Sequence, residues 1–265
     1  MAMTVSTLTP DAPPSRLGSA EVVDREYRGR KIRPLAAFRA FRRLIRDKED
    51  TVQVFEIMKA LTGNSSPRGY IKLTRRAGGI AFARTELAER FSDKAWLAGF
   101  AKGSVGTAYR EFMARENLSA AELARDNRLV TPFIDAPHVY AWYARRVRDV
   151  HDVWHVLTGY GRDPLGEACL VAFSYAQTKG LGWALIAFGA LTRARGPGAK
   201  PYRVAIREGF RRGRASAWLP GEDYERLLAE PLEVARRRLG LAPPIAYEAI
   251  PPQLRNGERV QAAAK

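Results

Sequence analysis

Apolar residues along most of the chain recur every three to four positions, which is the spacing of one face of an α-helix. Leu35, Phe38, Phe41 and Ile45 follow this spacing, and the segment 54–61 repeats it. Long stretches of alternating apolar and polar residues, typical of strands, are absent from the sequence. The pattern predicts an all-α protein built as a single helical domain, with helices over about 80–91, 93–101, 104–116, 137–157, 181–193, 201–213 and 222–239.

Capping residues define several of the predicted helix ends. Ser119 followed by Glu122 is a capping box, which predicts the start of a short helix. Gly159 suits the end of the 137–157 helix, and Asp163 followed by Pro164 suits the start of the next one. These signals predict a short turn between two consecutive helices.

The two ends of the chain differ in composition from the middle. Residues 1–30 contain Pro10, Pro13 and Pro14 and lack helical periodicity, so we expect a disordered leader. The segment 251–265 is similarly polar and predicts a flexible tail. The helical domain is therefore expected to span residues 31–250. Acidic residues within the first thirty positions argue against a mitochondrial transit peptide, and no secretory signal is visible.

The charge of the chain is unusual, because 44 Lys and Arg against 28 Asp and Glu leave a net charge of +16. Such an excess favours nucleic acid or an anionic membrane surface. No nucleic-acid-binding motif accompanies it, so solvated helix faces with attraction to a membrane surface are the favoured interpretation. The longest apolar run, 181–191, is shorter than the roughly 20 residues that a spanning helix needs. We expect a cytoplasmic protein, peripheral on the inner membrane surface.

Two of the three histidines, His151 and His155, are four residues apart, which places them about 40° apart around one helix. Asp152 lies within the same arc, and Glu167 follows the predicted turn at the start of the next helix. The pattern is His-Asp-x-x-His-x11-Glu, and two adjacent helices that supply histidine and carboxylate are a known way to build a metal site. These ligands suit zinc, iron, manganese or cobalt. The sequence predicts one divalent metal ion.

Three alternatives stay open for this motif. The spacing of His151 and His155 also occurs for two surface or core histidines without a metal. Asp152 could orient a histidine instead of binding the metal. A zinc protease would have glutamate at position 152 as its base, and aspartate is one methylene shorter, so proteolysis is disfavoured. The single cysteine, Cys169, excludes an intrachain disulfide and is most simply a small buried apolar residue.

The order of these residues resembles the fourth Coq protein family of ubiquinone (coenzyme Q) biosynthesis. The resemblance covers roughly residues 35–245. It departs from the family at 100–102, where a proline is often found, and it is loose over 190–220. Besides the metal motif it rests on Gly103-Ser104-Val105-Gly106 with Tyr109 and Phe112, on the Arg-rich approach over 143–150, and on Phe173 and Gln177.

The resemblance implies a helical metal-binding protein that is peripheral on a membrane and works with other ubiquinone-biosynthesis proteins. It implies oxidative decarboxylation, with hydroxylation, at carbon 1 of a prenylated hydroxybenzoate head group. The partner it implies is a prenylated quinone precursor or other isoprenoid lipid, and it supports His151, Asp152, His155 and Glu167 as metal ligands. A second interpretation is a non-catalytic lipid-binding scaffold with a structural metal, although ligands without cysteine favour a working site. Nucleic-acid binding rests on charge alone and is not expected.

Arg148 lies one turn before His151, and we expect it to pair with the substrate carboxylate. The alternative for Arg148 is a solvated surface arginine. The apolar helix over 181–193 is a candidate groove for the prenyl tail, with ordinary core or a homodimer interface as its alternatives. Arg193 and Arg195 at its end could meet anionic head groups. The groove candidates are Leu181, Trp183, Leu185, Ile186, Phe188 and Leu191.

Overall fold

The computed structural model describes residues 20–47, 50–76, 86–131, 133–194 and 199–255. The regular elements over these ranges are helices, and the β-type pairing there is one isolated bridge between Ser104 and Pro231. The predicted all-α, single-domain fold is confirmed. The α-helices are α1 Ala20–Arg28, α2 Pro34–Arg46, α3 Thr51–Leu61, α4 Ser65–Thr74, α5 Leu87–Ser92, α6 Lys94–Ala98, α7 Val105–Arg115, α8 Ala120–Val130, α9 Val139–Asp149, α10 His151–Thr158, α11 Pro164–Thr178, α12 Leu181–Arg193, α13 Ala199–Ala215, α14 Tyr224–Ala229, α15 Leu232–Arg238 and α16 Ile245–Glu248.

Helix α11 is the central element of the core, and it packs against α13 and α12. Eleven of its fifteen residues are buried. A Cβ atom at Gly209 of α13 would lie 2.4 Å from the carbonyl oxygen of Cys169, so the close approach of these two helices requires glycine at this position. Cys169 itself is fully buried, as predicted. The close-packed α11 provides a rigid support for the residues on its first turn.

Helices α2 and α3 form a hairpin with its own small core, and α3 also packs against α12 and α8. Ala37, Ala40 and Leu44 are the buried residues of α2. They repeat every three to four positions, as the sequence pattern requires. The hairpin lies against α12 where Leu185 and Ile186 pack on its core.

The predicted helix over 137–157 is wrong in detail, because the chain forms two helices there. His138 accepts a hydrogen bond on Nδ1 from the amide of Tyr140, at 3.2 Å, so it caps α9 and Pro137 precedes the helix. At Val150 the ψ angle is −6°, which interrupts the regular helix before α10 begins.

The predicted helix over 222–239 is also two helices. Pro231 separates α14 from α15, since proline provides no amide hydrogen for a continuing helix. The extended backbone here pairs with the Gly103–Gly106 segment, because the amide of Leu232 donates to the carbonyl oxygen of Gly103 at 2.9 Å. Within the predicted 80–91 helix, α5 begins at Leu87. Residues 77–85 lie outside the described ranges.

Part of the predicted leader is ordered. Helix α1 lies within residues 1–30, and its Val23 and Tyr27 are buried against Ala136 and Tyr140, so the disorder expected for this part is wrong. Residues 1–19 lie outside the described residues. In the predicted tail, the carbonyl oxygen of Arg255 accepts a hydrogen bond from the amide of Leu165, and residues 256–265 lie outside the described ranges. No helix over the described ranges is long and apolar enough to cross a membrane.

Candidate metal centre

The fold brings His151, His155 and Glu167 together. Each of the three side chains offers one ligand atom, and these atoms lie within 4.8 Å of one another. The histidines come from α10 and the glutamate from the first turn of α11. Two imidazoles and one carboxylate could hold a divalent metal ion and would leave a coordination position open for another ligand.

The turn between α10 and α11 positions Glu167. Gly159 ends α10 in the left-handed conformation, with φ 78°, as predicted for a glycine at this place. Asp163 caps α11, because its side chain accepts a hydrogen bond from the amide of Gly166 at 2.9 Å, and Pro164 begins the helix. The short turn folds α11 back, so Glu167 faces the C-terminal half of α10. The predicted capping residues are confirmed.

His155 is held in one orientation by two neighbours. Its Nδ1 atom lies 3.0 Å from the carbonyl oxygen of Tyr160, and its ring stacks on Phe112 with ring centres 5.2 Å apart. A carbonyl oxygen only accepts hydrogen bonds, so this contact requires the proton on Nδ1. The Nε2 atom then presents its lone pair, 3.4 Å from Oε1 of Glu167. A metal-binding histidine usually donates its other N–H group in this way.

The ring of His151 stacks parallel to Trp183, with ring centres 5.3 Å apart. Its Nε2 atom is buried and forms no hydrogen bond with any residue that the structure describes. An unsatisfied buried polar atom is costly in a folded protein unless a ligand, ion or water satisfies it. His151 also supplies one ligand atom of the three-residue group, so an orphaned nitrogen on this ring fits a bound metal ion.

The charges of His155 and Glu167 stabilise each other. Burial raises the pKa of Glu167, but the neighbouring His155 outweighs this effect and brings the pKa to about 2. Burial likewise lowers the pKa of His155, but the Glu167 carboxylate outweighs it and the pKa lies above its ordinary value. Arg162 adds a further positive charge, with Nε 3.5 Å from Oε1 of Glu167. Glu167 is therefore ionised at neutral pH, as a metal ligand must be.

Asp152, the fourth predicted ligand, lies beside this group but is not one of its three members. Its Oδ1 atom is 3.8 Å from Nδ1 of His151, which is too long for a hydrogen bond. Its negative charge nevertheless contributes to the raised pKa of His155. Asp152 as a direct ligand stays a prediction, and its position also suits a residue that orients His151.

Arg148, predicted to bind the substrate carboxylate, is nearly buried and partnered within the protein. Its Nε atom donates to Oδ1 of Asp149 at 2.7 Å, and another guanidinium nitrogen donates to Asn127 at 3.2 Å. Burial raises the pKa of Asp149 although Arg148 opposes this effect. The alternative of a solvated surface arginine is wrong, because only 7% of the side chain is exposed. Substrate binding by Arg148 stays a prediction.

A cavity of about 1180 Å³ lies against the candidate metal centre, and His151, Asp152, Glu167 and Arg148 are part of its wall. Of the predicted groove residues, Trp183 and Ile186 line the cavity, whereas Leu181 and Phe188 are exposed. Arg193 also lines it, and Arg195 lies outside the described residues. Sequence reasoning missed the part of the wall contributed by the α2–α3 hairpin, which includes Phe41, Ile45, Val54, Phe55 and Met58.

Comparison with known proteins gives consistent matches. Residues 71–245 match the family model of the coenzyme Q (ubiquinone) biosynthesis protein Coq4. The rat mitochondrial COQ4 homolog is 30% identical over 156 residues, which are 57% of this chain and 56% of the relative. The bovine mitochondrial homolog is 27% identical over 205 residues, 73% and 74% of the two chains. The Yarrowia lipolytica mitochondrial COQ4 protein is 32% identical over 147 residues, which are 54% of this chain and 52% of the relative.

A solved structure supports the fold. A Nostoc punctiforme protein named after ubiquinone biosynthesis superposes with a TM-score of 0.54 at 20% identity, over 80% of this chain and 99% of that chain. Except for the bovine protein, the relatives named above match over little more than half of their length. The family model itself covers more than half of this chain and includes the candidate metal centre. The chain therefore belongs to the Coq4 family of coenzyme Q (ubiquinone) biosynthesis proteins.

Proposed function

We propose that this protein catalyses a metal-dependent oxidative decarboxylation of a prenylated hydroxybenzoate, at carbon 1 of the head group. The observation that carries the proposal is that His151, Asp152 and Glu167 line the same large cavity as many apolar side chains. A polar, ion-binding end beside an apolar space suits a substrate with a polar head group and a prenyl tail. Membership in the Coq4 family supports a role in ubiquinone biosynthesis.

His151, His155 and Glu167 would hold the metal, and Asp152 would either complete the ligand set or orient His151. The buried and unsatisfied Nε2 atom of His151 supports this assignment. When bound, a divalent metal supplies a Lewis acid, and iron, manganese or cobalt also supplies a redox centre. Phe112 and Trp183 hold the two imidazole rings in place and restrict access of water to them.

The proposed reaction replaces a carboxyl group with a hydroxyl group. The bond between carbon 1 and the carboxyl carbon breaks, carbon dioxide leaves, and an oxygen atom bonds to carbon 1. This is a two-electron oxidation overall, so the reaction requires an oxidant such as molecular oxygen as a co-substrate. The role of the cavity is to place carbon 1 of the head group near the metal while the tail occupies the apolar part.

Arg148 is the candidate partner of the substrate carboxylate, since it lines the cavity beside the metal centre. A guanidinium group has five N–H donors, and Asp149 and Asn127 occupy only some of them. Arg148→Ala would leave the buried Asp149 without its charge partner, which typically costs about 3–5 kcal/mol of stability. Arg148→Lys keeps the charge and is the better test. We expect a higher KM for the carboxylated precursor with metal content unchanged.

The proposed function is tested by metal and product analysis of the full chain. We expect the purified protein to bind about one metal ion per chain and to convert the carboxylated prenyl precursor to the decarboxylated, hydroxylated product under oxygen. His155→Ala should lose both metal and turnover. His138→Asn is the matched control, because His138 is outside the metal centre and asparagine also caps helices well.

The outcomes distinguish the proposal from a lipid-binding scaffold. Metal bound by the wild type, with turnover that His155→Ala loses and His138→Asn keeps, supports the enzyme. Metal bound by the wild type, with no turnover after loading with zinc, iron, manganese or cobalt in the presence of oxygen, supports a scaffold and contradicts the proposal. Absence of metal after the same loading contradicts the metal centre itself.

A further inference from the structure

Helices α2 and α12, which contact each other, both expose large apolar side chains. Leu35 and Phe38 of α2 are 62% and 53% exposed, and Phe188 of α12 is 63% exposed. In the described part of the chain, Phe38 and Phe188 are the two phenylalanines that are exposed. The helices meet where Gly189 faces the ring of Phe41. We name this surface the α2–α12 face, and it consists of Ile32, Leu35, Phe38, Arg39, Arg42 and Phe188.

Helix α2 is apolar on two sides, which packing alone does not explain. Ala37, Ala40 and Leu44 form its buried side. On the solvent side, Leu35 and Phe38 share an arc of about 100° with Arg39 and Arg42. Single exposed apolar residues are normal on protein surfaces, but an apolar patch rimmed by charge commonly marks an interaction site.

The charge of α2 indicates the kind of partner. The helix contains four arginines and no acidic residue, and Lys31 and Arg33 precede it directly. Leucine and phenylalanine among arginines on one exposed face are typical of helices that lie in the head-group region of a membrane. A second copy of the chain would bring the same arginines face to face, which is unfavourable. Anionic lipid is complementary to both features of the surface.

We infer that the α2–α12 face docks this protein on an anionic lipid bilayer, with Leu35, Phe38 and Phe188 inserted among the acyl chains and Arg39 and Arg42 at the phosphates. Phe41 and Ile45 of α2 and Gly189 and Arg193 of α12 line the cavity. The cavity therefore reaches the two helices of the docking face, and a prenylated lipid passes from the bilayer to the metal centre without crossing water. This passage rests on the proposed function, whereas the docking itself does not.

The test is binding of the full chain to vesicles, measured by co-sedimentation and titration. We expect binding to phosphatidylcholine vesicles that contain phosphatidylglycerol, weak binding to pure phosphatidylcholine, and a decrease with added salt. Arg39→Gln with Arg42→Gln should weaken binding about thirtyfold, from the usual contribution of each basic residue at a membrane surface. Leu35→Ser with Phe38→Ser should weaken it by about tenfold or more.

Matched controls distinguish the contribution of this face to vesicle binding from the contributions of net charge and of the metal centre. Arg226→Gln with Arg237→Gln removes the same charge from exposed positions on α14 and α15, which pack against α7 and α10, and should change binding by less than about threefold. His155→Ala should bind vesicles as the wild type does. Phe188→Ser tests α12 independently of α2 and should also weaken binding.

Two results would overturn the inference. One is unchanged binding to the anionic vesicles by Leu35→Ser with Phe38→Ser and by Phe188→Ser, with native circular dichroism. The other is the absence of binding to the anionic vesicles by the wild type. Self-association that these substitutions abolish would then assign the face to a second copy of the chain. Vesicle binding by a protein without turnover would support docking and leave only the proposed function contradicted.

Discussion

The Nδ1 atom of His155 lies 3.0 Å from the carbonyl oxygen of Tyr160, and this contact determines which nitrogen of the ring is available to a metal. We expect the neutral ring to carry its proton on Nδ1 in the metal-free protein. Long-range proton–nitrogen NMR spectra, recorded well above the raised pKa of His155, will report the tautomer. Zinc should then shift the Nε2 resonance of His155 while that of His138 stays unchanged. A proton on Nε2 would contradict the assignment.

Metal affinity should depend on pH through His155. The pKa of His155 is raised, and its proton must leave before Nε2 binds a metal. Affinity is therefore highest above this pKa and decreases as the pH falls through it, by up to about tenfold per pH unit for one proton. Cobalt titrations over a pH series, followed by visible absorption, measure the effect. A flat profile between pH 5 and 8 would exclude His155 as a ligand that competes with a proton.

Stability of the metal-free protein should pass through a maximum as the pH rises. Glu167 contributes stability above its ordinary pKa of 4.5 and loses it as the pH falls toward about 2. His155 contributes stability below its ordinary pKa of 6.5, and this stability is lost as the pH rises through the raised pKa of the folded state. The pair therefore stabilises most between pH 4.5 and 6.5. Thermal melts of the wild type and Glu167→Gln, without metal, should differ most in this window.

Asp152 and Glu167 should differ in importance for metal binding. Glu167 is within the three-residue group, whereas Asp152 lies beside His151. We expect Asp152→Asn to weaken metal binding by about 10–100-fold, the usual effect of losing a residue that orients a ligand, and Glu167→Gln to weaken it more. Competition with a coloured chelator ranks the two variants. Equal and complete loss of metal in both would make Asp152 a direct ligand.

A larger side chain in the wall of the cavity should block the space proposed for the prenyl tail. Ala190 lines the cavity and is only partly buried, so Ala190→Phe places a ring in the space proposed for the prenyl tail. Turnover of the precursor should fall by about tenfold or more while metal content stays unchanged. Ala184→Phe is the matched control on the same helix, since Ala184 does not line the cavity. Similar losses in both variants would indicate general damage to α12.

A buried hydrogen bond behind the metal centre should matter for stability. Trp154 Nε1 donates to the hydroxyl of Tyr224 at 2.6 Å, and this hydroxyl donates to the carbonyl oxygen of Leu219 at 2.9 Å. Tyr224→Phe leaves both groups unsatisfied and should cost about 1–3 kcal/mol, a decrease in Tm of roughly 2–10 °C. Tyr175→Phe, on a partly exposed ring that stacks on Phe210, should change stability by less than about 0.5 kcal/mol.

Local signals in the sequence were sufficient to predict those helix ends that depend on neighbouring residues. The 181–193 helix begins and ends as predicted, and Asp163, Pro164 and Gly159 have the capping roles that their chemistry favours. Capping depends on hydrogen bonds between residues only two or three positions apart, so the chain determines it locally. The same reasoning explains why His151, His155 and Glu167 were found, since one helix and one short turn relate them.

Long-range packing decided the remaining features. The order of α1, which packs through Tyr27 on Tyr140, depends on contacts between distant segments. The partners of Arg148 and the wall that the α2–α3 hairpin adds to the cavity depend on the same kind of contact.

The sequence by itself determined the helical class, the turn between α10 and α11, and the three residues of the candidate metal centre. Only the tertiary structure decided which side chains surround that centre, where the cavity extends, and which apolar residues of α2 and α12 remain exposed. The physical reason is that periodicity identifies an apolar helix face but not the surface it meets, because burial depends on the whole set of packed helices.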